Sequence, residues 1–413
     1  MLARLSEQIH SPEFAALARA PDAPHAFTRR RKLPLPALIA ALLSANQRPQ
    51  QQLIDDFYAS LSGSHLPLRV LSDRGFAKAR QQLHLPALQR LNTELIAQAD
   101  TAGLVPRWCG LRVVAGDGSV LSPARRRCHT TRASMAADSR LFAPFLPGAE
   151  LLLHAELSSY ADSERAQLMR ALDALKSNDV LVLDRGYPAN WLVNALNARG
   201  IRFVMRCDAM GFAAVRAFVR SNSNESLVDL GKPRAADAKR WGVSADAPTV
   251  RLIRQISPNG QIRVLMTNVA RETASAECFA ALYHQRWRIE EAFKRLKHRL
   301  HLECVSGLTQ HALEIDVAAK VLADNVAALL CIAVAEIGAF EATGKRPNRA
   351  YLAAALSRWL PRWVMRLPEA GTELFELLAL LLRSTHRVVQ RAHRARPRTR
   401  SHHEKSHPSL CYR

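Results

Sequence analysis

The chain has 413 residues, 48% of them hydrophobic and 23% charged, which suits a globular protein of two or three domains and excludes a small disulfide-stapled module or wholesale disorder. Lys and Arg number 58 against 36 Asp and Glu, a formal net charge of +22, so a polyanion is the expected partner, either nucleic acid or an anionic membrane surface. Seven scattered cysteines with no Cys-x-x-Cys pair argue against a zinc site or a disulfide framework and for a reduced, cytoplasmic chain. The first residues include Arg4, Glu7 and His10 with no apolar run behind them, so a secretory signal is not expected. The longest clean apolar run, Val326 to Ala335, is short of the roughly 20 residues that a spanning helix needs and reads as a buried helix.

From Phe14 to about Ala102 the apolar spacing is helical, with breaks at Pro34, Pro36, Pro67 and Pro86. The region 1–105 is therefore expected to be a helical N-terminal domain. Its basic residues Arg29, Arg30, Arg31 and Lys32, and then Lys78 and Arg80 on a helix that Ser72 can cap, are candidate phosphate contacts.

From Leu111 the period changes. Leu111 to Gly116, Ala149 to Leu157, Val180 to Leu183 and Ile201 to Cys207 read as buried strands. Between them lie a helix opened by Ser163-Glu164-Arg165 and running through Leu168 and Leu172, and another from near Pro188 to Gly200. Strands followed by alternating strand and helix predict an α/β class, an α+β mixed sheet flanked by helices, over 106–308. Within it, residues 208–265 are polar and irregular apart from strand-like Val250 to Ile256 and Ile262 to Thr267, and are expected to form a β-rich insertion. A helical C-terminal region is expected over 309–390, with breaks near Gly344 to Pro347, Pro361 and Gly371. The basic tail 391–413 is expected to be flexible.

The candidate chemistry sits at strand ends. Asp117 follows one strand in Ala-Gly-Asp-Gly-Ser, and Asp184 follows another in Leu-Asp-Arg-Gly-Tyr. In an open sheet, side chains at neighbouring strand ends converge on one crevice; each Asp alone also suits an ordinary turn. The third element is the stretch Tyr283 to Lys297, with helical periodicity throughout. Tyr283, Arg286, Glu290 and Lys297 fall on one stripe, Lys294 lies a turn beyond Glu290, and Ile289, Phe293 and Leu296 form an apolar stripe opposite. A solvated helix with i, i+4 ion pairs would present the same pattern. Trp287 is expected to pack in the core, and so is Trp241 in preference to stacking on an extruded base.

Taken together these residues resemble the DDE transposases of bacterial insertion sequences, in the insertion-sequence-four type. That group bears a signature of Tyr, two residues, Arg, three residues, Glu, six residues and Lys, and Tyr283, Arg286, Glu290 and Lys297 reproduce its spacing. Asp117 and Asp184 match the two acidic positions. The resemblance extends to Phe27 to Pro34, to Ser163-Glu164-Arg165 and to Phe203 to Arg206, while the arginine-rich stretch Arg125 to Asp138 is less apolar than the second core strand should be.

The resemblance implies a ribonuclease H-like catalytic core. It implies Asp117, Asp184 and Glu290 as catalytic residues and ligands of two Mg²⁺ ions, with Mn²⁺ as a substitute, and Tyr283, Arg286, Lys294 and Lys297 as DNA contacts. The activity implied is cleavage at the terminal inverted repeats of an insertion sequence and strand transfer into target DNA, with a homodimer in the DNA complex and no membrane role. Two alternatives remain open from the residues: an inactive or regulatory DNA-binding relative, and a metal-dependent nuclease that does not join strands.

Overall fold

The computed structural model describes residues 1–28, 32–44, 49–121, 138–221, 223–256, 260–298, 302 and 309–387. The chain divides into two compact units, one formed by residues 1–102, 121–139 and 294–413, the other by residues 103–120 and 140–293.

The second unit is built on a mixed sheet. Its strands are β1 (Arg107–Trp108), β2 (Leu111–Leu121), β3 (Ser139–Leu146), β4 (Leu151–Leu152), β5 (Glu156–Ser159), β6 (Asp179–Leu183), β7 (Arg202–Cys207), β8 (Glu225–Asp229), β9 (Thr249–Ile256) and β10 (Ile262–Thr267). They are ordered β4-β3-β2-β6-β7-β10-β9-β8, with β1 paired to β2 and β5 to β3. The central strands β2, β6 and β7 are parallel, and β10, β9 and β8 continue antiparallel beyond them. A central trio of parallel strands preceded by a β2-β3-β4 meander is the ribonuclease H-like arrangement. Every residue of β6 is buried, as parallel strands covered on both faces require.

A buried ion pair locks the register of β2 on β6. Arg112 and Asp179 face each other across the ladder, are 1% and 0% exposed, and join through Nε to Oδ1 at 2.6 Å and Nη2 to Oδ2 at 2.7 Å. The Lys176 N–H donates to Asp179 as well, at 2.8 Å. Slipping the strands by one residue would leave both charges buried and unpaired, which costs several kcal/mol.

Three expectations change here. The second core strand is β3, while residues 122–137, which hold Arg125 to Arg127, lie outside the described residues. The expected strand from Ala149 to Leu157 is instead two short ones, β4 and β5, separated by a bend. The region 208–265 is not a separate β body: β9 and β10 add directly to the main sheet next to β7, and helices Ala213–Arg220 and Ala235–Trp241 lie between strands. Trp241 stacks on Trp191 at 4.8 Å with Arg240 against its ring, so its faces are engaged in packing.

In the other unit the N- and C-terminal helical segments, expected as separate regions, pack together. The 28-residue helix Gln310–Ile337 lies against helices Leu35–Leu43, Leu85–Thr101, Arg349–Val364 and Ala370–Arg383. It is the one described helix long and apolar enough to cross a membrane, and 72% of its most apolar window is buried inside the unit. Its buried polar groups are satisfied by their neighbours: Asp316 by Arg80, Asp324 by Arg295 and Arg349, and Asn325 by Asn92. Pro361 does not break its helix; it lies one turn from the end, where the missing N–H costs a single bond.

Candidate active site

Arg112 and Asp179 each lie five residues before an aspartate, so the register they lock runs on to set Asp117 across from Asp184. Side chains alternate along a strand, which places Asp117 on the same face as Leu111 and Val113, and Asp184 on that of Val180 and Val182. This face forms a core cluster with Val204, Phe279, Leu282 and Tyr283. The helix Cys278–His284 therefore covers the face that carries both aspartates. Gly116, one step before Asp117, is required by packing: a Cβ there would lie 2.9 Å from Leu183 Cδ2 and 3.2 Å from Phe142 Cζ.

The strand does not stop at Asp117. β2 continues to Leu121, whereas β6 ends at Leu183, so Asp117 projects from a strand interior beyond the end of its neighbour. The stretch 283–297 is likewise not one helix. It breaks at Gln285-Arg286, with short-range bonds from Arg286 N–H to Tyr283 O and from Ile289 N–H to Arg286 O, and resumes as Trp287–His298. The kink brings Arg286 onto the carboxylates. Arg286 is 7% exposed; its Nη2 donates to Glu290 Oε1 at 2.8 Å and its Nη1 lies 3.6 Å from Asp117 Oδ2.

Asp117 is short of compensation. Burial pushes its carboxyl up to about 7, the charges of Asp184 and Glu164 add to that, and the Gly118 N–H and Arg286 pull only partly back. Glu164 is also raised, by burial and then by Asp184. Asp184 accepts from the Gly186 N–H at 2.7 Å. Like charges crowded at a partly dry site disfavour one another's ionised form.

This donor set fits a hard divalent cation: the converging groups are carboxylates, without thiolate or imidazole. Among the described residues no three such side chains form a closed ligating group, and the Arg286 guanidinium lies between Asp117 and Glu290 in this conformation.

The expected DNA contacts divide. Tyr283 is buried in the core cluster, yet it also lines a cavity of about 410 Å³ with Arg254, Arg263, His284 and Trp287. Trp287, expected in the core, is 49% exposed with Arg286 over its ring at 5.0 Å. Lys294 is exposed and Lys297 half-buried on the continuing helix. Lys32 and Lys78 line one cavity of about 920 Å³ in the helical unit, and Lys78 lies on a helix capped by Ser72 Oγ as expected. Arg80 is corrected: it is 3% exposed and tied to Asp316 at 3.3 Å, a structural pair with no open face for phosphate. Arg29, Arg30, Arg31 and the basic tail lie outside the described residues.

Sequence reading missed two features: the Arg112–Asp179 lock, whose signal is the equal five-residue spacing to the two aspartates, and the closeness of Glu164 and Tyr187 to them.

The sheet thus carries aspartates at two adjacent central strands, with Glu290 on the helix that follows the covering one. Residues 111–326, just over half of the chain, match the Transposase DDE domain, and the chain belongs to that family, whose members generally use divalent metal ions. The chain is 22% identical over 286 residues to the transposase InsG for insertion sequence element IS4 of Escherichia coli K12, covering 66% of this chain and 63% of that protein. It is 26% identical over 209 residues to the putative transposase InsL for IS186A of the same organism, covering 41% and 55%. The matches thus span less than two thirds of these relatives' lengths. A solved piggyBac transposase synaptic complex with hairpin DNA resembles it distantly, at TM-score 0.41 and 10% identity over 95% of this chain and 87% of that one.

Proposed function

We propose that the protein is a transposase that cleaves DNA at the terminal inverted repeats of its insertion sequence and transfers the freed ends into target DNA, acting in the bacterial cytoplasm at the nucleoid. The observation that carries this reading is the register lock at Arg112–Asp179, which runs on towards Asp117 and Asp184 on the face covered by helix Cys278–His284, with Arg286 and Glu290 following just beyond that helix.

Asp117, Asp184 and Glu290 would hold two Mg²⁺ ions, with Mn²⁺ as a substitute. Bound there, such ions supply a nucleophile from water or a 3′ hydroxyl and stabilise the leaving oxygen. Asp117, raised to about 7, must give up its proton to serve as a ligand. Arg286 must turn from the carboxylates towards a phosphate, for which its planar fork is suited. Tyr283, Lys294 and Lys297 would hold phosphates of the transposon end, and Lys32, Lys78 and Arg29 to Arg31 would track the backbone further out. Pairing two ends calls for a homodimer in the DNA complex.

The test is incubation with labelled DNA bearing the element's own terminal repeats and a supercoiled target, in Mg²⁺ or in EDTA. Mg²⁺-dependent nicking at the repeats followed by joining is expected. Cutting that never joins would reduce the protein to a metal-dependent nuclease. Binding without cutting in either Mg²⁺ or Mn²⁺ would make it a regulatory relative.

A further inference from the structure

The motif Ser163-Glu164-Arg165 is not absorbed by a three-carboxylate site, yet all three of its side chains act at that site's edge. Ser163 Oγ accepts from the Ala166 N–H at 3.2 Å and fixes the start of helix Glu164–Ala171. Arg165 donates to the carbonyls of Gly186, Tyr187 and Pro188 at 2.8, 3.1 and 3.3 Å, which ties that helix start to the loop following Asp184. Between them, Glu164 is turned onto β2. A Cβ built on Gly118 would lie 3.2 Å from both Cδ and Oε1 of Glu164, so a glycine immediately after Asp117 leaves the room its carboxyl occupies.

Tyr187 supplies the second observation. Its ring is fully buried and its hydroxyl has no hydrogen-bond partner, while the charges that act on it are those of Glu164, Asp117 and Asp184, opposed by Arg286. A buried hydroxyl without a partner is unfavourable, and carboxylates are the acceptors whose charges reach it. The cation balance points the same way: among the described residues, the four carboxylates of Asp117, Asp184, Glu290 and Glu164 have salt-bridge contacts only from Arg286 and Arg140, the latter at 3.4 Å.

We propose that Glu164 is a fourth carboxylate of the divalent-metal pocket, closing it from the side opposite the Glu290 helix. This rests on the metal-dependent reading above and goes beyond it, because neither the family signature nor the aligned aspartates include Glu164. Gly118 leaves its carboxyl room beside Asp117, and the Arg165 clamp holds the helix start against the Asp184 loop.

The test is Mn²⁺ binding to the full-length protein without DNA, followed by calorimetry and by the loss of the free-ion electron paramagnetic resonance signal. Wild type, Glu164→Gln, Glu164→Asp and Asp117→Asn are compared, with thermal melts confirming that each is folded. Glu164→Gln is expected to weaken Mn²⁺ about tenfold or more, the scale seen when groups of a metal site are removed, with partial recovery in Glu164→Asp. If Asp117→Asn abolishes binding and Glu164→Gln leaves it at the wild-type level, the fourth carboxylate is overturned and the three-carboxylate site stands. If Asp117→Asn also binds like wild type, the metal reading itself fails and this inference falls with it.

Discussion

Two aspartates, one buried and one half-buried, show how differently the two units treat a charge. Asp324, in the helical unit, is 3% exposed, and although burial pushes its carboxyl up, Arg349 and Arg295 hold it below the usual carboxylate range. Arg295 donates to its two oxygens at 3.1 Å each and Arg349 lies 3.2 Å away. Asp117, in the sheet unit, has one guanidinium at 3.6 Å, which it shares with Glu290, and its carboxyl is pushed up to about 7. A charge that serves the fold is paired before it is buried. A charge meant for a ligand is left short, and like-charged neighbours are set beside it.

The largest effect should come from the under-compensated site. Asp117→Ala, Asp184→Ala and Glu290→Ala are each expected to lower cleavage of end DNA to below about a thousandth of wild type while end binding in a gel-shift assay persists. Cleavage surviving in any one of them would remove that residue from the ligand set.

The paired charges should respond in stability instead. Asp324→Ala removes the carboxylate paired with Arg295 and Arg349, and Asp179→Ala removes the one paired with Arg112, and each is expected to cost about 3–5 kcal/mol in urea unfolding. A loss within a fraction of a kcal/mol would mean that these pairs do not hold their units together.

A smaller and opposite shift separates the two aspartates by pH. A carboxyl whose folded value lies near 7 carries no penalty below its unfolded value of 3.8, and the penalty grows as pH rises towards about 7. Asp117→Asn should therefore raise the melting temperature of the metal-free protein at pH 8 by roughly 2–5 °C, with little change at pH 4. Asp324→Asn should lower it at pH 8, because there the charge is the stabilised form. Equal behaviour of the two variants would dissolve the contrast.

The smallest effect is expected at Lys297. Lys297→Ala should weaken end-DNA binding about evenly across sequences and reduce the slope of log affinity against log salt by about one. An unchanged slope would take Lys297 off the phosphate backbone.

Much of the sheet was legible in the chain. The run Val180 to Leu183 reads as a buried strand because it is apolar throughout, and both of its faces are indeed covered. The kink at Gln285-Arg286 was not legible, since apolar periodicity continues across it and no Gly or Pro marks it. Arg80 misled because a basic residue on a capped helix looks solvated until Asp316, 236 residues further along, is brought against it. Arg112 and Asp179 were passed over for the same reason: a charge inside an apolar run reads as a strand edge until its partner on the neighbouring strand is known. Long-range pairing of this kind leaves no local pattern to read.

The most direct test of the under-compensated carboxylate is Mn²⁺ titration by calorimetry at pH 6.5, in two buffers of different ionisation enthalpy, with wild type and Asp117→Asn. Wild type is expected to bind Mn²⁺ with release of a fraction of a proton up to one, and Asp117→Asn to lose both the binding and the proton. Mn²⁺ binding to wild type with no difference between the buffers, or equal binding by both proteins, would contradict the assignment of Asp117 as a half-buried carboxylate held for a divalent cation.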